Sequence, residues 1–298
     1  MKVKSTLAVG SIALDTLETD EHQQTDILGG SATFFAVAAS LFAPVRLVGV
    51  VGSDNPEAGW RLFRERNVDV SDVQQVEGRT FRWGGRYSSD FSTRETLFTE
   101  LGVFESFQPR INPSNRQSGI VYLGNIQPSL QLAVCREMAG APTVISDTMN
   151  LWIDRYPQQL QEVLAKTDIF LINDEEAAQL TGHDDLDSAA RDLLDAGPAT
   201  VIIKRGREGA LLAAGDSRRH VPIFPDVAVV DPTGAGDSFA GGLVGHLARH
   251  GMAELDRAVI VAAATASFTV EGFGLDGLLA ATTAGIEQRA DIIAGRQE

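Results

Sequence analysis

Short, nearly uninterrupted apolar runs recur along this chain, and they restrict its folding more than any other feature. They lie at 7–9, 45–51, 119–123, 143–146, 169–172 and 200–203 and are rich in β-branched residues. Runs of this length suit strands rather than helices. Segments with helical spacing separate or follow them, at 31–42, 157–165, 175–181, 186–196, 237–249, 254–269 and 279–294. A strand that is apolar on both faces has to be covered on both faces. The alternation therefore predicts an α/β fold in three layers, with helices on either side of a mostly parallel sheet. With 298 residues, 44% of them apolar, the chain has enough material for one such core, and we expect a single unit over 1–298.

One stretch breaks the rhythm. Residues 79–107 alternate apolar and polar side chains and lack a helical period, which predicts antiparallel strands with one wetted face. In an α/β chain this is an excursion suited to a small β-sheet lid over a cleft, and residues 12–28 are expected to add to it. A surface hairpin is the plainer alternative. The exposed edges of such a sheet also invite pairing with a second copy of the chain.

The formal net charge is −15 and the sequence pI about 4.7. So acidic a surface repels phosphate backbones and anionic lipid, which argues against nucleic-acid and membrane partners. No run approaches the length of a membrane span. The first apolar run stops at Asp15, too early for a signal peptide, and reads as a first strand. Cys135 is the sole cysteine. It stands in a helical apolar pattern, reads as a packed residue rather than a nucleophile, and allows no disulfide within the chain. A reducing, cytoplasmic setting is expected.

The segment that carries chemistry runs from Val229 to Gly242. A short strand is expected to end at Asp231, with Pro232 stopping it. Gly234, Ala235 and Gly236 are small enough to expose successive backbone amides, and a helix starts near Asp237. Orphan amides at a helix start, reinforced by the positive end of its dipole, make an anion site. Asp237 at that spot is either a helix cap or a general base that takes a proton from a substrate hydroxyl. Gly241 and Gly242 inside the helix cost about 1 kcal/mol each against alanine, so close packing or ligand access should explain them.

The run Asp231-Pro232-Thr233-Gly234-Ala235-Gly236-Asp237-Ser238-Phe239-Ala240-Gly241-Gly242 closely resembles the C-terminal signature of the PfkB/ribokinase family of carbohydrate and nucleoside kinases. The resemblance implies a ribokinase-like fold, ATP as co-substrate, Mg²⁺, and in some members a monovalent cation such as K⁺ near Asp231. It implies that Asp237 is the catalytic base, that Gly234, Ala235 and Gly236 form the anion hole, and that Asp231 lies near the substrate. Further likenesses follow in the family's order. Asp15, after the first strand, resembles the family's substrate-binding Asp; a carboxylate accepts hydrogen bonds from two neighbouring hydroxyls, although a turn residue is the plainer reading. Gly29 and Gly30 resemble the di-glycine beside the acceptor. Asn173 and Glu176 resemble an N-x-x-E element suited to Mg²⁺; the alternative is a helix start with acidic first-turn residues. Lys204, Gly206 and Gly209 look like the turn beside the nucleotide phosphates, with Lys204 a point charge for phosphate or else a solvated lysine. Ala264, Val270 and Gly274 fall in the stretch that borders the adenine in the family, or in a plain core helix.

The pattern departs at Phe34, where many members carry an asparagine that bonds sugar hydroxyls. A phenyl ring cannot replace those bonds, so Phe34 either stacks on an apolar ring face or packs inside its helix. Arg82, in the aromatic- and arginine-rich excursion, suits an acidic substrate or a base, or else an interface. Asn125 and Asn150 follow strands, where open parallel sheets bind ligands, and are further candidate substrate contacts. The expectation is an ATP-dependent kinase of a sugar or sugar-like hydroxyl. A nucleoside kinase comes next and then a cyclitol kinase, with a non-catalytic sugar or nucleotide sensor as the rival from another class. A nicotinamide dehydrogenase is discounted, because no G-x-G-x-x-G follows the first strand with an acid some twenty residues on.

Overall fold

A computed structural model describes residues 3–19, 23–88 and 94–296. Among them the strands are β1 (Thr6–Val9), β2 (Ala13–Glu18), β3 (Gln23–Gly29), β4 (Val45–Gly52), β5 (Asp69–Val76), β6 (Phe81–Tyr87), β7 (Arg94–Glu100), β8 (Ile120–Leu123), β9 (Thr143–Asp147), β10 (Ile169–Asn173), β11 (Thr200–Lys204), β12 (Ala210–Ala214) and β13 (Ser217–Val221). The helices are α1 (Ser31–Ala39), α2 (Glu57–Glu65), α3 (Pro128–Glu137), α4 (Asn150–Arg155), α5 (Pro157–Leu164), α6 (Asp174–Thr181), α7 (Leu186–Asp195), α8 (Ala235–His250), α9 (Leu255–Thr269), α10 (Asp276–Ala280) and α11 (Thr283–Ala294).

Nine strands form the large sheet in the order β13-β12-β11-β10-β9-β8-β1-β4-β5. From β5 to β11 every pairing is parallel, and β12 and β13 close one edge as an antiparallel hairpin. All six apolar runs are strands of this sheet. Their side chains alternate between two cores: Leu7 and Val9 face a cluster with Leu130 and Val134 of α3, while Ala8 faces the other with Phe35 and Ala36 of α1 and Leu243 of α8. Helices thus cover both faces, as the unbroken apolar runs require.

Helix α8 is the centre of one layer, packed between α1 and α9. A Cβ on Gly241 would stand 2.6 Å from Ala38 Cβ, and one on Gly242 would stand 2.5 Å from Thr265 Oγ1. The glycine pair therefore serves close helix packing, which offsets its cost in helix propensity.

Four strands make the small sheet, in the order β3-β2-β6-β7. The outer pairs are antiparallel, and the central pair β2 and β6 is parallel, with Asp15 opposite Trp83. The 79–107 excursion thus supplies two of its strands and the 12–28 region the other two.

Two expectations need correction. No strand ends at Asp231. The chain has to travel from edge strand β13 back to the start of α8, and it does so along the end of α9, where the Val230 amide donates to Val270 O at 2.7 Å. The single helix expected over 279–294 is two, α10 and α11, because Thr282 caps a new start by accepting the Gly285 amide at 3.1 Å.

Candidate active site

In an open parallel sheet, side chains at the carboxyl ends of the strands share one rim. Here that rim carries Asn125 just past β8, Asp147 at the end of β9, Asn173 at the end of β10 and Lys204 at the end of β11. Strand β1 leads into Ser11, which is stapled to the start of α1. The Ser11 and Ser31 amides each donate to the other's hydroxyl at 3.1 Å. Gly30 sits between them with φ 88, and a Cβ there would lie 2.4 Å from Ser11 O. Only glycine fits at this place.

Asp15 hangs from β2 against that turn. It is 4% exposed, and its Oδ2 accepts the Gly30 amide at 3.3 Å. A Cβ on Gly29 would fall 1.9 Å from the same oxygen, so the di-glycine makes room for the carboxylate. Burial drives the Asp15 pKa up to about 7; the Gly30 amide opposes this, and the charges of Asp231 and Asp237 add to it. Three carboxylates far apart in sequence therefore share one field.

Helix α8 starts at Gly234, whose φ of 73 is left-handed, and no side chain caps the helix. A Cβ on Gly234 would meet the Phe34 ring at 2.3 Å. The Ala235 amide turns back onto Pro232 O at 3.2 Å, while the amides of Gly234 and Gly236 meet no acceptor among the described residues. Asp237 lies in this open first turn. Burial raises its pKa to about 7, with Asp147 adding to the rise, Lys204 and its own amide opposing it, and Glu176 adding again. Lys204 Nζ donates to Asp147 Oδ2 at 2.8 Å, in a pair that is largely shielded from water. The ammonium stands 3.3 Å from where a Gly236 Cβ would be, which brings it to the mouth of the glycine turn.

The remaining candidates are placed as follows. Asp231 is 1% exposed and joins two loops, accepting Thr233 N at 2.9 Å and Gly274 N at 2.8 Å. Asn173 and Glu176 form a reciprocal capping box on α6: Asn173 Oδ1 accepts Glu176 N at 2.7 Å and Glu176 Oε2 accepts Asn173 N at 3.1 Å. Gly206 and Gly209 shape a tight turn closed by the Arg205 amide on Gly209 O at 2.7 Å. Phe34 is buried with Val37, Leu62 and Leu278 beneath Gly234; it packs inside its helix and supports the glycine turn. Arg82 donates to Asp26 at 2.9 Å, to Asp54 at 2.8 Å and to Thr80 O at 3.2 Å, which ties β6 to its surroundings. Asn125 Oδ1 accepts the Trp152 indole N–H at 2.9 Å, and Asn150 is exposed at the start of α4. Ala264 has no exposed surface and belongs to the core of α9, and Val270 O holds the Val230 amide.

Asp147 escaped the sequence reading as a site residue. The only available signal was an acid at the end of an apolar run, in Ile145-Ser146-Asp147-Thr148. Its partner Lys204 comes 57 residues later.

A three-layer fold with an open, glycine-lined helix start beside a buried aspartate is an arrangement suited to phosphoryl transfer onto small hydroxyl compounds. The model of the pfkB family of carbohydrate kinases matches residues 6–280, and the chain belongs to that family. A cytidine kinase of Thermococcus kodakarensis is 30% identical over 250 residues, which is 82% of this chain and 88% of that protein. Among solved structures, a Burkholderia thailandensis nucleoside kinase in complex with inosine superposes with a TM-score of 0.81 at 21% identity, covering 97% of this chain and 99% of that one. An Arabidopsis thaliana ribokinase complexed with ribose and ATP gives a TM-score of 0.80 at 22% identity, covering 97% and 99%. The ribokinase-like fold expected from the glycine motif is therefore the fold of this chain.

Proposed function

We propose that this chain transfers the γ-phosphoryl group of ATP to a hydroxyl of a ribose-bearing nucleoside, with Asp237 as general base and the turn Gly234–Gly236 as anion hole. The observation that carries the reading is Asp237 itself. It lies in an uncapped first helical turn beside two unengaged amides, and its pKa is lifted to about 7. A base works best when its pKa lies near the working pH. Asp237 accepts the acceptor's hydroxyl proton while that oxygen attacks phosphorus, and the bond from phosphorus to the departing ADP oxygen breaks with its electron pair going to ADP. The Gly234 and Gly236 amides and the Lys204 ammonium balance charge on the phosphoryl oxygens. Asp15, next to Gly29 and Gly30, receives the acceptor's hydroxyls.

Among the described residues no three His, Cys, Asp or Glu gather to cage a metal. Mg²⁺ needs no such cage, since it binds through one or two carboxylates, phosphates and water. Glu176 acts on both Lys204 and Asp237 and is the carboxylate in reach, with Asn173 holding its backbone. When bound there, such an ion would supply positive charge against the phosphate oxygens. The Asp231 oxygens already accept two amides, so a monovalent cation there would share them.

The sequence alone put sugars ahead of nucleosides. The likeness to a cytidine kinase, at 30% identity over most of its length, supports placing nucleosides first. Phe34 is sealed beneath Gly234, so the contact that an asparagine makes to sugar hydroxyls in many family members has no counterpart at this position. Among the described residues the outer strands β3 and β7 each leave one edge of the small sheet unpaired, and pairing of two copies there is the assembly we expect; sedimentation measures it.

The test is ATP- and Mg²⁺-dependent ADP release with cytidine, inosine, ribose, fructose and myo-inositol, with Asp237→Asn in parallel. Turnover with the nucleosides that the substitution abolishes supports the reading. Undiminished turnover in Asp237→Asn removes the base assignment, and sugar turnover without nucleoside turnover restores the sugar. Ligand binding without any turnover points to a sensor.

A further inference from the structure

Tyr87 closes strand β6 of the small sheet, yet its hydroxyl belongs to neither the small sheet nor a surface. It is 6% exposed and lies 2.8 Å from Thr233 Oγ1, across 146 residues of chain. Thr233 immediately precedes Gly234, the left-handed residue that opens α8. Its amide is held from below by Asp231, which also takes the Gly274 amide. Its side chain is held from above by Tyr87. The residue that leads into the glycine turn is thus gripped between the large sheet's helical layer and the small sheet.

The route by which Tyr87 arrives there is built. The pairing of β6 with β7 shifts register between Gly84 and Gly85, where β7 carries one extra residue, Leu97, and such a bulge sharpens the local twist of the pair. A Cβ on Gly85 would fall 2.1 Å from Trp83 Cη2, and one on Gly84 2.4 Å from Phe98, so neither glycine opposite the bulge has room for a side chain. Beyond the bulge, Arg86 clamps β6 to β2 with two bonds to Glu18 Oε2, at 3.1 and 2.7 Å. The same β2 carries Asp15. One sheet therefore bears both the carboxylate beside the di-glycine and the hydroxyl that reaches the glycine turn.

We infer that Tyr87 is a positioning residue that makes the conformation of the phosphoryl-binding turn depend on where the small sheet sits. The inference rests on the reading of Gly234–Gly236 as that turn. A hydrogen bond at 2.8 Å between the small sheet and the turn before α8 does not survive displacement of the sheet by more than a fraction of an ångström. When the small sheet is seated over Asp15 and its ligand, Thr233 is fixed and the Gly234 amide is aimed. When the sheet is displaced, Thr233 is free to turn and the aim is lost. Phosphoryl transfer is in this way tied to acceptor occupancy, and water is a poorer acceptor than geometry alone would allow.

The experiment compares wild type with Tyr87→Phe, Thr233→Val, Thr233→Ser and the double variant Tyr87→Phe/Thr233→Val. It uses cytidine, inosine and ribose as acceptors and records phosphorylated product and ADP separately. Tyr87→Phe keeps the ring and deletes only the hydroxyl. We expect it to lower kcat about tenfold and to leave the acceptor KM within about twofold. We also expect the share of ATP lost to water to rise several-fold. Thr233→Val should match it, the double variant should be no worse than either, and Thr233→Ser should stay near wild type. A product-to-ADP ratio unchanged in Tyr87→Phe overturns the inference, as do losses that multiply in the double variant. If Tyr87→Phe does not fold, the Thr233→Val and Thr233→Ser pair decides by the same ratio. Failure of the underlying reading looks different: wild type forms no product with any acceptor, or Asp237→Asn retains full turnover.

Discussion

The carboxyl-end rim of the large sheet and the small sheet that stands beside it handle charge in opposite ways. On the rim, charges are buried against one another: Lys204 pairs with Asp147 at 2.8 Å, and Asp237 is pushed to about 7 by burial and by that neighbouring acid. In the small sheet the charged pairs lie mostly in water, as with Arg86 and Glu95 or Arg79 and Glu100. Buried charges are costly to move and hold a geometry, whereas exposed pairs contribute little and yield easily. We therefore propose that the rim is a fixed platform for chemistry and the small sheet a cover that can shift against it. Tyr87 is where the two meet.

Asp237→Asn should break the comparison most visibly. We expect kcat to fall about a thousandfold with nucleoside acceptors, and kcat/KM of the unmodified enzyme to climb along an acid limb near pH 7, where Asp237 ionises in the free enzyme. The same substitution should raise stability. A carboxyl whose folded pKa is about 7 against an ordinary value of 3.8 imposes no penalty below pH 4, and a growing one as the pH rises from there through 7. The variant should therefore be more stable than wild type by about 4 kcal/mol at pH 8 and equal to it at pH 4, as read from urea melts at both. A gain of equal size at both pH values would remove the link between buried charge and platform.

Most of the platform was legible in the sequence, because burial on two faces forces unbroken apolar runs and every such run became a strand. The turn from Asp231 to Asp237 was legible because an uncapped helix start with a left-handed Gly234 packed on the Phe34 ring leaves little choice of residues. Other features left weaker traces. Edge strand β5 reads Asp-Val-Ser-Asp-Val-Gln-Gln-Val and edge strand β13 Ser-Arg-Arg-His-Val, since a strand with one free side has no need of an unbroken apolar face. The Asn173 and Glu176 pair looks the same in sequence whether it only caps a helix or also serves a metal; the cap is what the local geometry displays. The contacts that join distant segments, Lys204 with Asp147 and Tyr87 with Thr233, leave no local pattern, because each partner sits in an ordinary strand or loop context.

A smaller effect separates the two charges that act on Asp237 from within the platform. Asp147 raises its pKa and Lys204 lowers it, while Glu176 raises it from α6; Asp15 on β2 and Tyr122 on β8 also interact with its charge. Asp147→Asn should move the acid limb of kcat/KM to lower pH, and Lys204→Met should move it to higher pH. Each should cost about ten- to a hundredfold in kcat, through the misplaced or missing cation. Limbs that move the same way, or not at all, would mean that the pair is only structural and that the platform does not tune its base.

The smallest effect lies within the cover. Arg82 and Arg86 are neighbours on β6, but Arg82 is 12% exposed while Arg86 is 53% exposed. Arg82 also serves Asp54, whose carboxyl is held below its usual pKa: burial opposes the shift, and the Thr80 hydroxyl and amide together with Arg82 outweigh it. Its stabilisation is present at neutral pH and fades as the pH falls through the carboxylate range. Arg82→Met should cost about 1–2 kcal/mol, and Arg86→Met about 0.5 kcal/mol or less, measured by urea unfolding in low salt. In 0.5 M salt, about three times the physiological level, the Arg86 cost should vanish and most of the Arg82 cost should remain. Equal costs would mean that the Arg86 pairs with Glu18 and Glu95, all within the small sheet, hold as firmly as the Arg82 link to Asp54 outside it, so that the cover's internal ties and its tie to the rest of the molecule would no longer differ.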